Sequence, residues 1–208
     1  MAIDKFGCLG STIKVAAGHY VDLLNPTADS IDIYSIASAL GKICRFGGHC
    51  PKFYSVAEHS CWAYTLAVRE NQSSDVCRAV LLHDSAEAYV GDIVKPLKVL
   101  LPEYAEIERR FEAAIAERFG VDFDRHKDAI KRYDRMMLQV EKQAMWPEDR
   151  EHWEGFGSEI PGRVLLQMKS PVIATQVFLV LARNSGIGHG WRYVSDQWID
   201  DSKNSTKV

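Results

Sequence analysis

An excess of basic residues is the first thing missing: 25 Lys and Arg stand against 28 Asp and Glu, for a formal net charge of −3. A nucleic-acid polymer is gripped by many cations along its phosphates, so that class of partner is not expected; a small phosphorylated ligand, held by a few local cations, remains open. Long apolar runs are missing as well. The longest, near "VFLVLA", is far too short to cross a bilayer, and the opening "MAIDKFGCLGSTIKVAAGHY" lacks a basic segment followed by an apolar core. Neither membrane insertion nor export is therefore expected. The five cysteines, Cys8, Cys44, Cys50, Cys61 and Cys77, form an odd set without a CxxC pair. That fits reduced thiols in the cytoplasm better than a disulfide framework. There is almost no strand-like alternation, no internal repeat and no low-complexity tract. Gly47-Gly48 lacks the strand and the Lys-Ser/Thr that a phosphate-binding P-loop needs.

What is present is helical periodicity. The 208 residues, 47% hydrophobic, suffice for one domain with a real core. Residues 1–30 read as an irregular arm with one short hairpin. Ile33, Ile36, Ala37, Leu40, Ile43 and Cys44 recur at helical spacing and predict an amphipathic helix that stops before Gly47. A second helix opens at Ser55, with Glu58 three residues on completing a capping box by reaching back to the capping amide. A third is predicted over Asp75–Tyr89, ended by Gly91, and a fourth between Pro102 and Gly120. A fifth spans Asp128–Trp146 before Pro147, and a last apolar helix covers Pro171–Arg183. Residues 148–159 read as loop or short helix and the tail after Gly186 as irregular. The expected class is all-α, a helical bundle.

Within that bundle, "VLLHDSAEAYVGDIVKPLK" concentrates charge. On one continuous helix, Glu87 falls four residues after His83 and three after Asp84, so the three project from the same side of a turn. The helix looks buried, and buried ionisable groups must be paired or bound to a metal. The dipeptide alone leaves both readings open: a metal site, or a His-Asp pair near a helix end. His59 and Asp134 interrupt apolar contexts on two other helices and extend the pair to a His₂Asp₂ set. Mixed imidazole and carboxylate ligation suits Zn, Mn, Fe, Co or Ni, with water completing the shell.

The succession of His59, His83-Asp84 and Asp134 resembles the HD-domain metal-dependent phosphohydrolases. The likeness is nearest to the bacterial and phage 5'-deoxynucleotidases and the phage dATP triphosphohydrolases. It is carried by "ICRF", "SVAEHS", "HDSAEAYVGDIVKPLK", "YAEIE" and "IKRYD", over roughly Ile31 to Trp146. The resemblance implies a single HD domain, with five core helices over about residues 31–146, an N-terminal arm over 1–30 and a C-terminal extension over 147–208 that bears one extra helix. It implies a divalent metal ion (Co, Mn, Zn, Fe, Ni or Mg) on His59, His83, Asp84 and Asp134. Glu87 would position the attacking water or pass a proton, and Asp92 would protonate the leaving 5'-oxygen. Arg45, Lys98 and Lys131, with Lys95 as a looser match, would contact phosphate. Phe46 stands where the related nucleotidases carry a tryptophan that packs on the nucleoside; it can still stack on a base.

The implied activity is hydrolysis of a nucleotide at its α-phosphate, with a deoxynucleoside monophosphate as the first expectation. The alternatives are a dNTP triphosphohydrolase, in which His49 and Lys95 would serve the longer tail, and a non-catalytic nucleotide-binding module that keeps the metal as a clasp. The family also forms dimers or larger rings, and "PVIATQVFLVLAR" offers an apolar helix for a homo-oligomer interface.

Overall fold

The computed structural model describes residues 10–151, 153 and 164–187, and the backbone of 191–194 and 197–200. It is mostly helical. The arm does hold a hairpin: β1 (Thr12–Lys14) pairs antiparallel with β2 (Tyr20–Asp22), Ile13 opposite Val21. Val21 turns inward and is fully buried.

Helix α1 (Ile33–Leu40) starts where Asp32 accepts the Ser35 amide at 2.7 Å. The periodicity predicted a helix continuing to Cys44, and it does not. Gly41 lies so close to the C-terminal part of the chain that a Cβ there would come within 2.3 Å of Thr175 Oγ1. Residues 43–45 instead run extended beside residues 54–56: the Arg45 amide donates to the Tyr54 carbonyl at 2.9 Å and the Val56 amide to the Ile43 carbonyl at 3.1 Å.

Helix α2 (Val56–Arg69) has the predicted cap, Ser55 Oγ accepting the Glu58 amide at 3.1 Å. The Glu58 side chain, however, does not reach back to the capping amide. It is buried and accepts the backbone amides of Gln167, Met168 and Lys169 at 2.9, 3.1 and 2.7 Å. Met168 adopts φ +50°, which curls three successive amides around one carboxylate. Three charge-assisted bonds outweigh one capping bond, so the far segment wins.

The single helix expected over Asp75–Tyr89 is two: α3 (Ser74–Leu82) and α4 (Glu87–Val90). Between them the backbone tightens to three-residue bonds, with the Ser85 amide on the Leu82 carbonyl and the Glu87 amide on the Asp84 carbonyl. The His83 ring explains the break. Its Nδ1 lies 2.8 Å from the Val80 carbonyl, the acceptor that a continued α-helix would reserve for the Asp84 amide.

A one-turn helix, α5 (Lys95–Lys98), leads to α6 (Pro102–Phe119), which opens on proline and closes on Gly120 at φ +61° as predicted. The remaining helices are α7 (Lys127–Met145) and α8 (Pro171–Asn184). The tail, expected to be irregular, contains two paired strands, β3 (Trp191–Val194) and β4 (Gln197–Asp200). The aromatic and β-branched composition of "WRYV" and "QWID", joined across two residues, is a hairpin signal that helical periodicity does not register.

Two apolar clusters hold the bundle together. The larger draws Ile36 and Leu40 from α1, Leu81 and Leu82 from α3, Phe111 from α6 and Phe178 from α8. Each fully buried side chain of this size contributes about 1.5–3 kcal/mol. The segment beyond residue 146 thus packs into the same core as the helices before it. The second cluster joins α2, α3 and α7 through Leu66, Val80, Tyr133 and Met137. Helices α2 and α3 contribute to both clusters. Among the described residues, no helix is long and apolar enough to cross a membrane. The four described cysteines are free, and the expected thiol Cys8 lies outside the described residues. The stretch expected as loop or short helix after Pro147 falls largely outside them too.

Candidate metal centre and its cavity

Four side chains from three helices converge at the seam between the clusters. His59, in the first turns of α2, is fully buried. His83 caps the end of α3 with Asp84 beside it, and Asp134 comes from the middle of α7. His59 Nε2 lies 3.4 Å from His83 Nε2, 3.3 Å from Asp134 Oδ1 and 3.7 Å from Asp84 Oδ2. His83 Nε2 lies 3.1 Å from Asp84 Oδ1. One ligand atom each from His59, His83 and Asp134 falls within 4.8 Å of the others.

These spacings fit a metal ion. A divalent cation about 2.1 Å from each donor sets neighbouring donors about 3.0 Å apart at a right angle and about 3.4 Å apart at a tetrahedral angle. The outward face of each imidazole agrees. His83 Nδ1 faces the Val80 carbonyl at 2.8 Å and His59 Nδ1 faces Glu141 Oε1 at 2.6 Å. Both partners only accept, so each Nδ1 carries the proton and each Nε2 turns a lone pair inward. Two lone pairs and two carboxylates then face one another with no donor among them. Such a set repels itself until protons or a cation enter.

Electrostatics tells the same story. Burial and Arg45 oppose charge on His59, but Glu141 and Asp134 outweigh them and hold its value up to about 10. Burial opposes charge on His83 also, and Asp84 overrides it. Asp84 is held far below the usual carboxylate range, against burial, by His83, His59 and Arg45. Asp134 is lowered by His59, again against burial. The cluster is built to hold positive charge, and a metal entering it displaces the imidazole protons.

Asp84 and Asp134 line a cavity of about 690 Å³, a size suited to a small molecule, while His59 and His83 lie outside its lining. Glu87 was expected on one unbroken helical turn with His83 and Asp84. It instead begins α4, after the break, yet still faces the same cavity. Its Oε1 lies 3.3 Å from Lys98 Nζ, while its buried Oε2 has no hydrogen-bond partner among the described residues. Burial first, then Asp84 and Asp92, push its carboxyl up to about 9 against the pull of Lys98 and Arg45. Asp92 follows Gly91 and lines the cavity; burial raises its pKa, with Arg45 opposing.

Arg45 enters from the extended segment before α2, its Nη1 3.4 Å from Asp84 Oδ2 and its Nε 3.3 Å from Glu141 Oε2. Lys98 Nζ also meets Glu108 Oε1 at 2.7 Å. Lys95 is exposed at the rim and lines the cavity, whereas Lys131 is exposed one turn before Asp134 and does not. His49 likewise lies exposed, outside the lining. Phe46, at φ +60°, is part of an aromatic wall, edge-on to Trp146 at 5.2 Å and to Trp153 at 6.2 Å between ring centres.

Three participants escaped sequence reasoning: Glu141, Glu108 and Trp153. Glu141 lies seven residues, two helical turns, beyond Asp134, on the same side of α7. That spacing was the available signal. Glu108 closes the "YAEIE" segment of the resemblance but had no role assigned to it, and no pattern pointed to Trp153.

No family model matches this chain. The uncharacterized protein YfdR of Escherichia coli K12 is 37% identical over 145 residues, covering 69% of this chain and 77% of its own length. An uncharacterized protein of Rhodobacter capsulatus is 37% identical over 113 residues, covering 52% of this chain and 58% of its own.

Proposed function

The chain belongs to the family of the Escherichia coli protein YfdR, and from that premise we propose that it is an HD-domain metal-dependent phosphohydrolase. Its substrate in this reading is a deoxynucleoside 5'-monophosphate, cleaved to nucleoside and phosphate. The observation that carries the proposal is the convergence of His59, His83, Asp84 and Asp134, the two aspartates of which line one cavity with Glu87, Asp92, Arg45 and Lys98.

A divalent ion on the four donors would lower the pKa of a water and draw charge from a phosphoryl oxygen. The chain's own groups do the rest. Arg45 and Lys98 face the cavity with fixed donors and hold the phosphate oxygens in line for attack. Glu87, desolvated and half-bonded, has a free oxygen for the proton of the attacking water. Burial, Asp84 and Asp92 raise its pKa, which makes its ionised form a stronger acceptor for that proton. Asp92, its pKa also raised by burial, delivers a proton to the 5'-oxygen as the phosphorus–oxygen bond breaks. The wall of Phe46 offers a flat apolar surface to the base.

The placement of the cations favours the monophosphate: Arg45 and Lys98 each already face two acidic side chains, and His49, expected at a longer tail, lies outside the cavity lining, which leaves Lys95 for any further phosphate. An oligomer would find its surface on α8, where Val172, Ile173 and Val180 face outward; light scattering on the purified protein tests this, and a monomer removes it.

The function is tested by incubating EDTA-stripped and Mn²⁺- or Co²⁺-reloaded protein with dAMP and with dATP, and identifying the products. Deoxyadenosine plus phosphate from dAMP, only after reloading, is expected. Triphosphate from dATP would move the activity to the longer substrate. Turnover of neither by metal-loaded protein would leave a binding module.

A further inference from the structure

We propose that Glu141 is the positioning residue of this centre: one buried carboxylate that fixes the tautomer of His59 with one oxygen and the direction of Arg45 with the other. The inference rests on the metal-centre part of the reading above and needs no particular substrate.

Three observations support it. Glu141 is fully buried on α7, where an ionised carboxylate is costly unless its environment uses the charge. Its Oε1 meets His59 Nδ1 at 2.6 Å, the shortest polar contact of the cluster, while Oε2 lies 3.3 Å from Arg45 Nε as an ion pair. The two imidazoles are also held differently. His83 rests on a neutral carbonyl, that of Val80, and His59 on an anion. An anionic partner fixes the ring and makes Nε2 the more basic donor.

The arrangement has a consequence for Arg45. Its guanidinium spans from Glu141 to Asp84, so its orientation is set between the α7 carboxylate and a metal donor. Glutamate is required because it sets a charged oxygen beside each partner, Oε1 hydrogen-bonded to His59 Nδ1 and Oε2 in an ion pair with Arg45 Nε that lacks hydrogen-bond geometry. A glutamine offers one acceptor, and its amide nitrogen would confront whichever of His59 Nδ1–H or Arg45 Nε–H the oxygen leaves.

The test is Mn²⁺ affinity by calorimetry on metal-stripped protein, together with ¹⁵N-histidine NMR of the Zn²⁺-loaded form. Glu141→Gln should weaken Mn²⁺ binding about tenfold and Glu141→Ala up to about 100-fold. Arg45→Ala should bind Mn²⁺ as tightly or more tightly, since it removes a cation beside Asp84. A merely structural Glu141 would lower the melting temperature and leave the affinity of the folded protein unchanged. In the unmutated protein His59 should appear protonated at Nδ1 and metal-bound through Nε2. A cooperatively folded Glu141→Gln with Mn²⁺ affinity within about twofold of the parent overturns the proposal. So does His59 bound through Nδ1, a result that requires no variant to fold. Neither readout involves turnover, so failure of the nucleotidase reading and failure of this one are seen separately.

Discussion

The two sides of the cavity are built from different material. On one, His59, Asp134 and Glu141 project from helices of 14 and 19 residues whose other faces are locked into the second apolar cluster. On the other, Glu87, Lys95 and Lys98 sit on two four-residue helices and Asp92 on the link between them that starts at Gly91, with Val94, Leu97, Val99 and Leu100 exposed around them. The long-helix side holds its charged groups in place with partners at fixed distances. The short-helix side instead shifts two carboxyl pKa values upward. The proposed function would use that division: rigid donors beside groups whose charge is easily changed.

The largest effect should come from breaking the rigid side. Asp134→Ala is expected to abolish tight Mn²⁺ binding and reduce hydrolysis to background, measured by calorimetry and phosphate release; a variant that keeps both would place the ion elsewhere. Glu87→Gln should leave Mn²⁺ affinity nearly intact while turnover falls about 10²–10⁴-fold. The same substitution sharpens the electrostatic contrast. The Glu87 carboxyl is raised from 4.5 to about 9 on folding, so between those values the folded chain holds a proton that the unfolded chain has released. Stability therefore falls as pH rises through that window. In EDTA at pH 8, Glu87→Gln should be the more stable protein by on the order of 1–3 kcal/mol, with the gap closing near pH 4; parallel melting curves across pH would refute the raised value.

Lys98→Ala should have a moderate effect, about tenfold in kcat/KM. Because Lys98 pulls the Glu87 value down, its loss should also move the acid limb of the pH–rate profile upward; a superimposable profile would separate the two residues. The smallest expected change is Gly91→Ala. Gly91 adopts φ +86° and ψ 157°, and an added Cβ would meet nothing within 4 Å. The cost is thus purely conformational, about 1–3 kcal/mol, with Mn²⁺ affinity unchanged. Hydrogen exchange compares the two sides directly: amides of α4 and α5 should exchange faster than those of α2 and α7.

Much of this was legible in the chain. Periodicity and caps placed α2, α6, α7 and α8 closely, because each buries one stripe and ends on Ser, Pro or Gly signals. His59, His83, Asp84 and Asp134 do meet, since a buried His or Asp on an apolar helix must find partners. The failures share one cause. Ile43 and Cys44 keep a helical spacing, but tertiary pairing with residues 54–56 pulled them out of the helix. The break after Leu82 is made by the His83 side chain, the role of Glu58 by amides more than a hundred residues away, and Glu141 by a ring on another helix. Lys131, on the expected face of α7, stops short of the cavity because one turn of helix carries it into solvent. Local patterns report which face is buried; they do not report which distant group arrives there.

Glu58 adds a consequence for the order of events during synthesis. It immediately precedes His59, and its carboxylate is matched by the amides of residues 167–169 together with the Lys169 ammonium. When α7 has been synthesised, every residue of the candidate centre is already in the chain, yet the helix bearing His59 still has a charge whose partners have not been made. That helix reaches its native setting only when a strap from the last quarter of the sequence closes over it.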